Sequence, residues 1–187
     1  MFHYLTELQS LIHVIIIYMD INERTYNIIP DTDMYIDRND VSKGIILGID
    51  FGLKRIGLAI CDSEHNIATP LMCLDNLGFK QTSQALDNIY IQHPFKYILI
   101  GWPLNMNNTE GPQCNLVHNF CCKLYAHFYN RQIKLGIIKW DERLSSRHTE
   151  YLNQPKKGKH IDHIVATGLL QEYLNYLQFQ KEFQETT

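Results

Sequence analysis

The sequence predicts an α/β layer fold with a mixed sheet of about five strands flanked by helices. Three observations carry this expectation. Residues 45–50 and 55–61 are short apolar runs separated by a tight Phe-Gly-Leu-Lys turn, the pattern of a β-hairpin. Further strand-like apolar runs at 96–101 and 133–140 alternate with segments of helical spacing. The chain has 187 residues, 45% of them hydrophobic, which is enough to bury the core of one ordinary domain without disulfide or metal staples.

Taken in order, residues 1–43 read as an N-terminal extension, partly helical or disordered. There an apolar stretch is followed by a tract rich in turn formers with no sustained period. The most apolar run, residues 11–19, has about half the roughly 20 residues a bilayer span needs. No basic segment precedes it and no small-residue cleavage site follows it, so neither a membrane anchor nor a signal peptide is expected.

The domain proper is read as 44–187. After the hairpin comes a third strand around 66–73. Residues 81–93 carry Leu86, Ile89 and Ile91 at helical spacing and must stop before Pro94, because a residue preceding proline disfavours the helical region. A strand at 96–101 leads into a polar loop at 102–112, then a long amphipathic helix at 113–130. The strand at 133–140 runs into Asp141, Glu142 and Arg143. A short helix at 146–152, a basic loop at 155–159 and a final helix from Asp162 to about 178 complete the order β-β-β-α-β-α-β-α-α.

The formal charge of −3 excludes a uniformly basic coat, so contact with a polynucleotide requires a local patch of Lys and Arg. Five cysteines (Cys61, Cys73, Cys114, Cys121, Cys122) are odd in number, include an adjacent pair and form no Cys-x-x-Cys. Neither a disulfide framework nor a zinc knuckle is suggested, and a reducing compartment is expected.

The candidate chemistry lies in the acids. Asp50 ends the first strand, Asp141 and Glu142 end the last, and Asp162 opens the last helix. Open α/β sheets bind ligands at the carboxyl ends of their strands, so acids separated by about 90 residues can share one crevice. Clustered carboxylates repel one another unless a cation neutralises them. Mg²⁺ or Mn²⁺ accepts such oxygen donors, and three or four acids suffice for two ions about 4 Å apart, the arrangement suited to in-line phosphodiester hydrolysis. Each acid also has a plainer reading. Asp50 can cap its own turn, Asp162 can be a helix N-cap, and Asp141 and Glu142 can be a solvated strand end paired with Arg143. Their joint placement favours catalysis.

Four segments resemble the YqgF/RuvX family: Gly48-Ile-Asp-Phe-Gly-Leu-Lys-Arg-Ile-Gly-Leu-Ala59, Gly101-Trp-Pro-Leu-Asn-Met-Asn-Asn-Thr-Glu-Gly-Pro112, Asp141-Glu-Arg-Leu-Ser-Ser146 and Asp162-His-Ile-Val-Ala166. These are pre-16S rRNA nucleases, also described as Holliday junction resolvase-like. The resemblance implies an RNase H-like fold, a cytoplasmic location and trimming of the 5′ end of the small-subunit rRNA precursor. It carries the family's acids onto Asp50, Glu142 (with Asp141 beside it) and Asp162, as catalytic residues and ligands of the two expected Mg²⁺ or Mn²⁺ ions. It differs in Trp102 where leucine is usual, in Asn108 where glycine is usual, and in a short segment between Leu152 and Asp162. Asparagine tolerates positive φ better than most residues, so the loop geometry is expected to survive.

Lys54 and Arg55 after Asp50, and Lys156, Lys157 and Lys159 before Asp162, are candidates for neutralising substrate phosphates, against the plainer reading of solvated loop cations. Asn105, Asn108 and Thr109 are candidates for neutral hydrogen bonds to the sugar-phosphate backbone. Arg143, also in the substrate-facing set, is placed to orient the two acids before it. His160 and His163 beside Asp162 are read as exposed rather than as a soft-metal site, for want of a third spaced ligand.

The expected partner is nucleic acid: RNA on the strength of the resemblance, with ribosomal particles as the setting, no membrane, and a monomer or weak dimer. Nothing in the residues separates RNA from DNA, so a structure-selective junction resolvase stands as the alternative. A catalytically weak RNA- or ribosome-binding module is a further one. Asp50-Phe-Gly also resembles the first phosphate loop of actin-like ATPases, but the chain is short for their two-lobed body and has no second such loop.

Overall fold

The structure, a computed structural model, describes residues 34–39, 41–141 and 162–185. Among them, five strands form one mixed sheet: β1 (Ile46–Phe51), β2 (Arg55–Cys61), β3 (Ala68–Asp75), β4 (Tyr97–Trp102) and β5 (Gly136–Asp141), in the spatial order β3-β2-β1-β4-β5. β2 runs antiparallel to β1 and β3, whereas β1, β4 and β5 are parallel. Helices α1 (Phe79–Gln92) and α2 (Pro112–Tyr129) make the crossovers into β4 and β5, and α3 (Asp162–Glu185) closes the chain. The expected mixed sheet with flanking helices is therefore present. The helix at 146–152 and the basic loop at 155–159 fall outside the described residues.

Two boundaries differ from the sequence reading for a local reason. Asp62 Oδ1 accepts the Asn66 and Ile67 amides at 2.8 and 2.9 Å, which holds those residues in a turn, so β3 starts at Ala68 rather than near 66. At the end of α2, Gln132 adopts φ 61° and the Ile133 amide donates to the Phe128 carbonyl at 3.0 Å. The chain is still capping its helix there, and β5 begins only at Gly136.

β1, β2, β4 and β5 are largely buried, while the edge strand β3 is mostly exposed, and alternation sorts the buried side chains into two cores. Leu47, Ile49, Ile98, Ile100 and Ile137 face α1 and α2, meeting Leu86, Val117, Phe120 and Leu124. Ile46, Leu99, Ile138 and Trp140 face the other way, against Ala166, Leu170, Tyr173 and Leu174 of α3. Each such aliphatic side chain, fully buried, contributes roughly 1.5–3 kcal/mol relative to exposure. α3 comes close because Gly48 has no side chain: a Cβ there would lie 3.1 Å from Leu170 Cβ.

The described part of the segment preceding residue 44 packs on the β5 edge. Met34 is fully buried, Tyr35 bridges in parallel to Ile137, and the Ile36 amide donates to the Ile137 carbonyl at 3.0 Å. The Arg38 guanidinium lies 5.3 Å from the Tyr176 ring centroid, and the Tyr173 hydroxyl donates to the Arg38 carbonyl at 2.7 Å. This segment pairs an edge that would otherwise expose open backbone groups.

All five cysteines are free. Cys121 and Cys122 are both buried, and burial pushes the Cys121 thiol up to about 12, which leaves it a packing group rather than a nucleophile. No helix among the described residues is long and apolar enough to cross a membrane.

Candidate active site

Asp50 is the fifth residue of β1 and, after Ile46 and Gly48, the third to face α3. Its partner on β2 is Gly57, and Gly57 pairs in turn with Cys73 on β3. Asp50, Gly57 and Cys73 thus form one row across three strands. α3 begins on the middle of that row: a Cβ on Gly57 would lie 2.0 Å from the Asp162 carbonyl oxygen, so only bare backbone admits the helix there. The row and the helix start bring Asp50 and Asp162 close enough for their charges to interact, although they are 112 positions apart in the sequence.

The environment of the two acids differs. Asp50 is half-buried, and burial first, then the charge of Asp162, pushes its carboxyl up to about 6. Asp162 has partners: Arg55 forms an ion pair through Nε to Oδ2, and the Cys73 thiol donates to the same oxygen at 3.5 Å. Burial, and then that hydrogen bond to Asp162, raise the Cys73 thiol above its ordinary range. Cys73 was not singled out from the sequence; its register opposite Gly57, displaced by the β-bulge between Leu58 and Ala59, places it there.

Two carboxylates with hard oxygen donors, one of them pushed up to about 6 by burial and then by the other's charge, fit a divalent cation such as Mg²⁺ or Mn²⁺. Among the described residues no group of three or more His, Cys, Asp and Glu side chains is gathered as a metal cage. Glu142, the expected third acid, lies outside the described residues, as do Arg143, Lys157 and Lys159. Asp141 ends β5 opposite Trp102, and alternation from Ile137 through Lys139 places it on the α1/α2 face, away from Asp50.

The remaining candidates split. Lys54 is exposed in the hairpin turn, where its carbonyl accepts the Asn76 amide at 2.9 Å. Arg55, expected to face phosphate, instead grips Asp162. Asn105, Asn108 and Thr109 build their own loop. The Asn105 amide donates to the Thr109 carbonyl at 2.9 Å, and Asn105 Nδ2 to Thr109 Oγ1 at 2.9 Å. The Asn108 amide donates to the Asn105 carbonyl at 3.0 Å, and the Thr109 hydroxyl donates to Asn107 Oδ1 at 2.6 Å. Asn108 sits at φ 63°, the left-handed conformation that its side chain tolerates. Trp102 is buried at the loop's root and donates from Nε1 to Glu110 Oε1 at 3.0 Å.

A family model described as "RuvX: Holliday junction resolvase" matches residues 44–176, a span that holds Asp50, Arg55, Gly57, Cys73 and Asp162. A protein of Carboxydothermus hydrogenoformans named "Putative pre-16S rRNA nuclease" is 35% identical over 139 residues, covering 70% of this chain and 96% of its own length. One of the same name from Caldanaerobacter subterraneus subsp. tengcongensis is 31% identical over 137 residues, covering 70% and 95%. Among solved structures, T. thermophilus RuvC in complex with a Holliday junction substrate superposes with a TM-score of 0.48 at 8% identity, over 72% of this chain and 96% of that one.

Proposed function

Because this chain belongs to the RuvX family, we propose that it is a metal-dependent nuclease that hydrolyses phosphodiester bonds, processing the 5′ end of the 16S rRNA precursor in the cytoplasm during ribosome assembly. The observation that carries this reading is the meeting of Asp50 and Asp162 over Gly57, a carboxylate pair at the carboxyl end of β1.

Asp50, Asp162 and Glu142 would hold Mg²⁺ or Mn²⁺, with room in the reading for two ions. Asp141 is the weaker candidate, since it takes the opposite face of the sheet. When bound, the ions activate water and stabilise the leaving oxygen of an in-line displacement. The chain's own residues do the rest. Asp50 and Asp162, fixed by a strand and a helix start, orient the site with little reorganisation. Lys54, and with it Lys157, Lys159 and Arg143 from outside the described residues, would supply positive charge to hold a phosphate backbone. The loop with Asn105, Asn108 and Thr109, already hydrogen-bonded within itself, offers a rigid polar rim.

The family's description favours a second reading, cleavage of four-way DNA junctions. Both are tested by one assay: a single-stranded 16S precursor 5′-leader oligonucleotide and a synthetic four-way junction, each incubated with wild type and Asp50→Asn in Mn²⁺ or Mg²⁺. The reading expects RNA cleavage that Asp50→Asn loses by about three orders of magnitude or more, the scale at which a lost electrostatic or metal-holding group acts. Symmetric junction cleavage by a dimer, without RNA cleavage, selects the resolvase. Inactivity of the wild type on both substrates selects a binding module.

A further inference from the structure

Arg55 was expected to face substrate, yet its Nε is ion-paired to Asp162 Oδ2. That oxygen also receives the Cys73 thiol at 3.5 Å, and Asp162 in turn acts on the half-buried Asp50. The pair is asymmetric: the Arg55 side chain is 42% exposed and Asp162 25%. Arg55 stands at the first position of β2, just past the turn that the Gly52 amide closes on the Arg55 carbonyl at 2.9 Å. Its backbone is therefore fixed while its long side chain has open solvent to turn into. Of the two acids, Asp162 is thus the one that has a compensating cation.

We propose that Arg55 is a positioning residue with two stations, holding Asp162 while the site lacks a divalent ion and turning to a substrate phosphate when the ion takes over that carboxylate. This rests on the nuclease reading above. The physical reason is competition for one oxygen. A guanidinium and a divalent cation on the same carboxylate repel each other, so an ion that binds Asp162 releases Arg55. The freed guanidinium is suited to a phosphodiester oxygen, which it can meet with parallel N–H donors. Ion binding and substrate binding are then coupled through one side chain, and by linkage the coupling is reciprocal.

The test titrates Mn²⁺ into the full-length protein and follows the free-ion EPR signal. Wild type, Arg55→Gln and Asp162→Asn are compared, alone and with a single-stranded RNA oligonucleotide carrying phosphorothioate linkages. Without RNA, Arg55→Gln should bind Mn²⁺ about two- to fivefold more tightly than wild type, the scale of a partly exposed ion pair. RNA should tighten Mn²⁺ binding in wild type and fail to do so in Arg55→Gln. Without RNA, Arg55→Lys, which keeps the charge, should bind Mn²⁺ nearly as wild type does and controls for folding, as do thermal melts of each variant. Equal or weaker Mn²⁺ binding by free Arg55→Gln overturns the two-station role and leaves the nuclease reading standing. Failure of wild type to bind Mn²⁺, or unchanged binding in Asp162→Asn, overturns the nuclease reading and this inference with it.

Discussion

The carbonyl oxygen of Asp162 lies 2.0 Å from where a Cβ on Gly57 would stand, so the last helix begins on the bare backbone of the strand that pairs with Asp50. A single hydrogen side chain at position 57 thus decides whether the two acids of the site meet. Gly57→Ala should force α3 away from β2. The expected cost is at least the roughly 1–3 kcal/mol of an overpacked core, because the obstructing atom is backbone and not a rotatable tip. Thermal denaturation checks the stability loss. Mn²⁺ affinity checks the geometry and should fall even at temperatures where the variant is fully folded.

Asp50 also sets a pH dependence. Its carboxyl is pushed from the ordinary 3.8 up to about 6, so the native state binds the proton more tightly than the unfolded chain does. The stability this contributes is fully present below about pH 4 and is lost as pH rises through about 6; it amounts to about 3 kcal/mol by the usual conversion. Asp50→Asn removes the penalty. In metal-free buffer the variant should match wild type near pH 4 and exceed it in Tm at pH 8. Adding Mn²⁺ at pH 8 should raise the Tm of wild type alone. Equal pH profiles for the two proteins would refute the buried, uncompensated state of Asp50.

Asn108 occupies φ 63° in the loop that carries Asn105 and Thr109. Asn108→Gly should change stability by only a few tenths of a kcal/mol, whereas Asn108→Val should cost about 1–2 kcal/mol, because a β-branched residue is strained in this conformation. Urea denaturation of the two variants distinguishes them. If valine is tolerated as well as glycine, the loop adopts another backbone in solution.

The segment before residue 44 belongs to the folding unit where it is described. Lys139 Nζ sits 3.8 Å from the Tyr35 ring centroid and 4.0 Å from that of Trp102, and the Tyr35 hydroxyl and His118 Nδ1 share a hydrogen bond of 3.1 Å. Tyr35→Ala should therefore lower unfolding stability by about 2 kcal/mol, through lost ring packing and the lost cation–π contact. Tyr35→Phe should lose about 1 kcal/mol for the hydrogen bond alone. Denaturation followed by tryptophan fluorescence reads both, since Trp102 adjoins the ring at 5.9 Å. An unchanged Tyr35→Ala would show that the segment adds nothing to the domain.

Much of the fold was legible because it is written in short-range periods. Leu47 and Ile49 alternate with Ile46 and Gly48 whatever the rest of the chain does, and the Gly52 turn is local, since a Cβ there would lie 2.7 Å from the Arg55 carbonyl oxygen three residues on. The shifts at Asn66 and at Gln132 escaped a period-based reading because a side-chain acceptor and a helix cap, neither of which has a period, set them. The placement of Asp50 and Asp162 at element ends could likewise be read, and with it their claim to share a crevice.

The sequence by itself determined the strand and helix pattern, the acids at their ends and an asparagine fit for a left-handed loop position. Only the tertiary structure decided that Arg55 takes Asp162 rather than solvent, that Cys73 stands on the same oxygen, that Asp141 faces away from Asp50 and that Tyr35 closes the β5 edge. The first set depends on the local geometry of the chain. The second depends on register across the sheet and on where α3 docks, and those are settled by packing between residues distant in sequence.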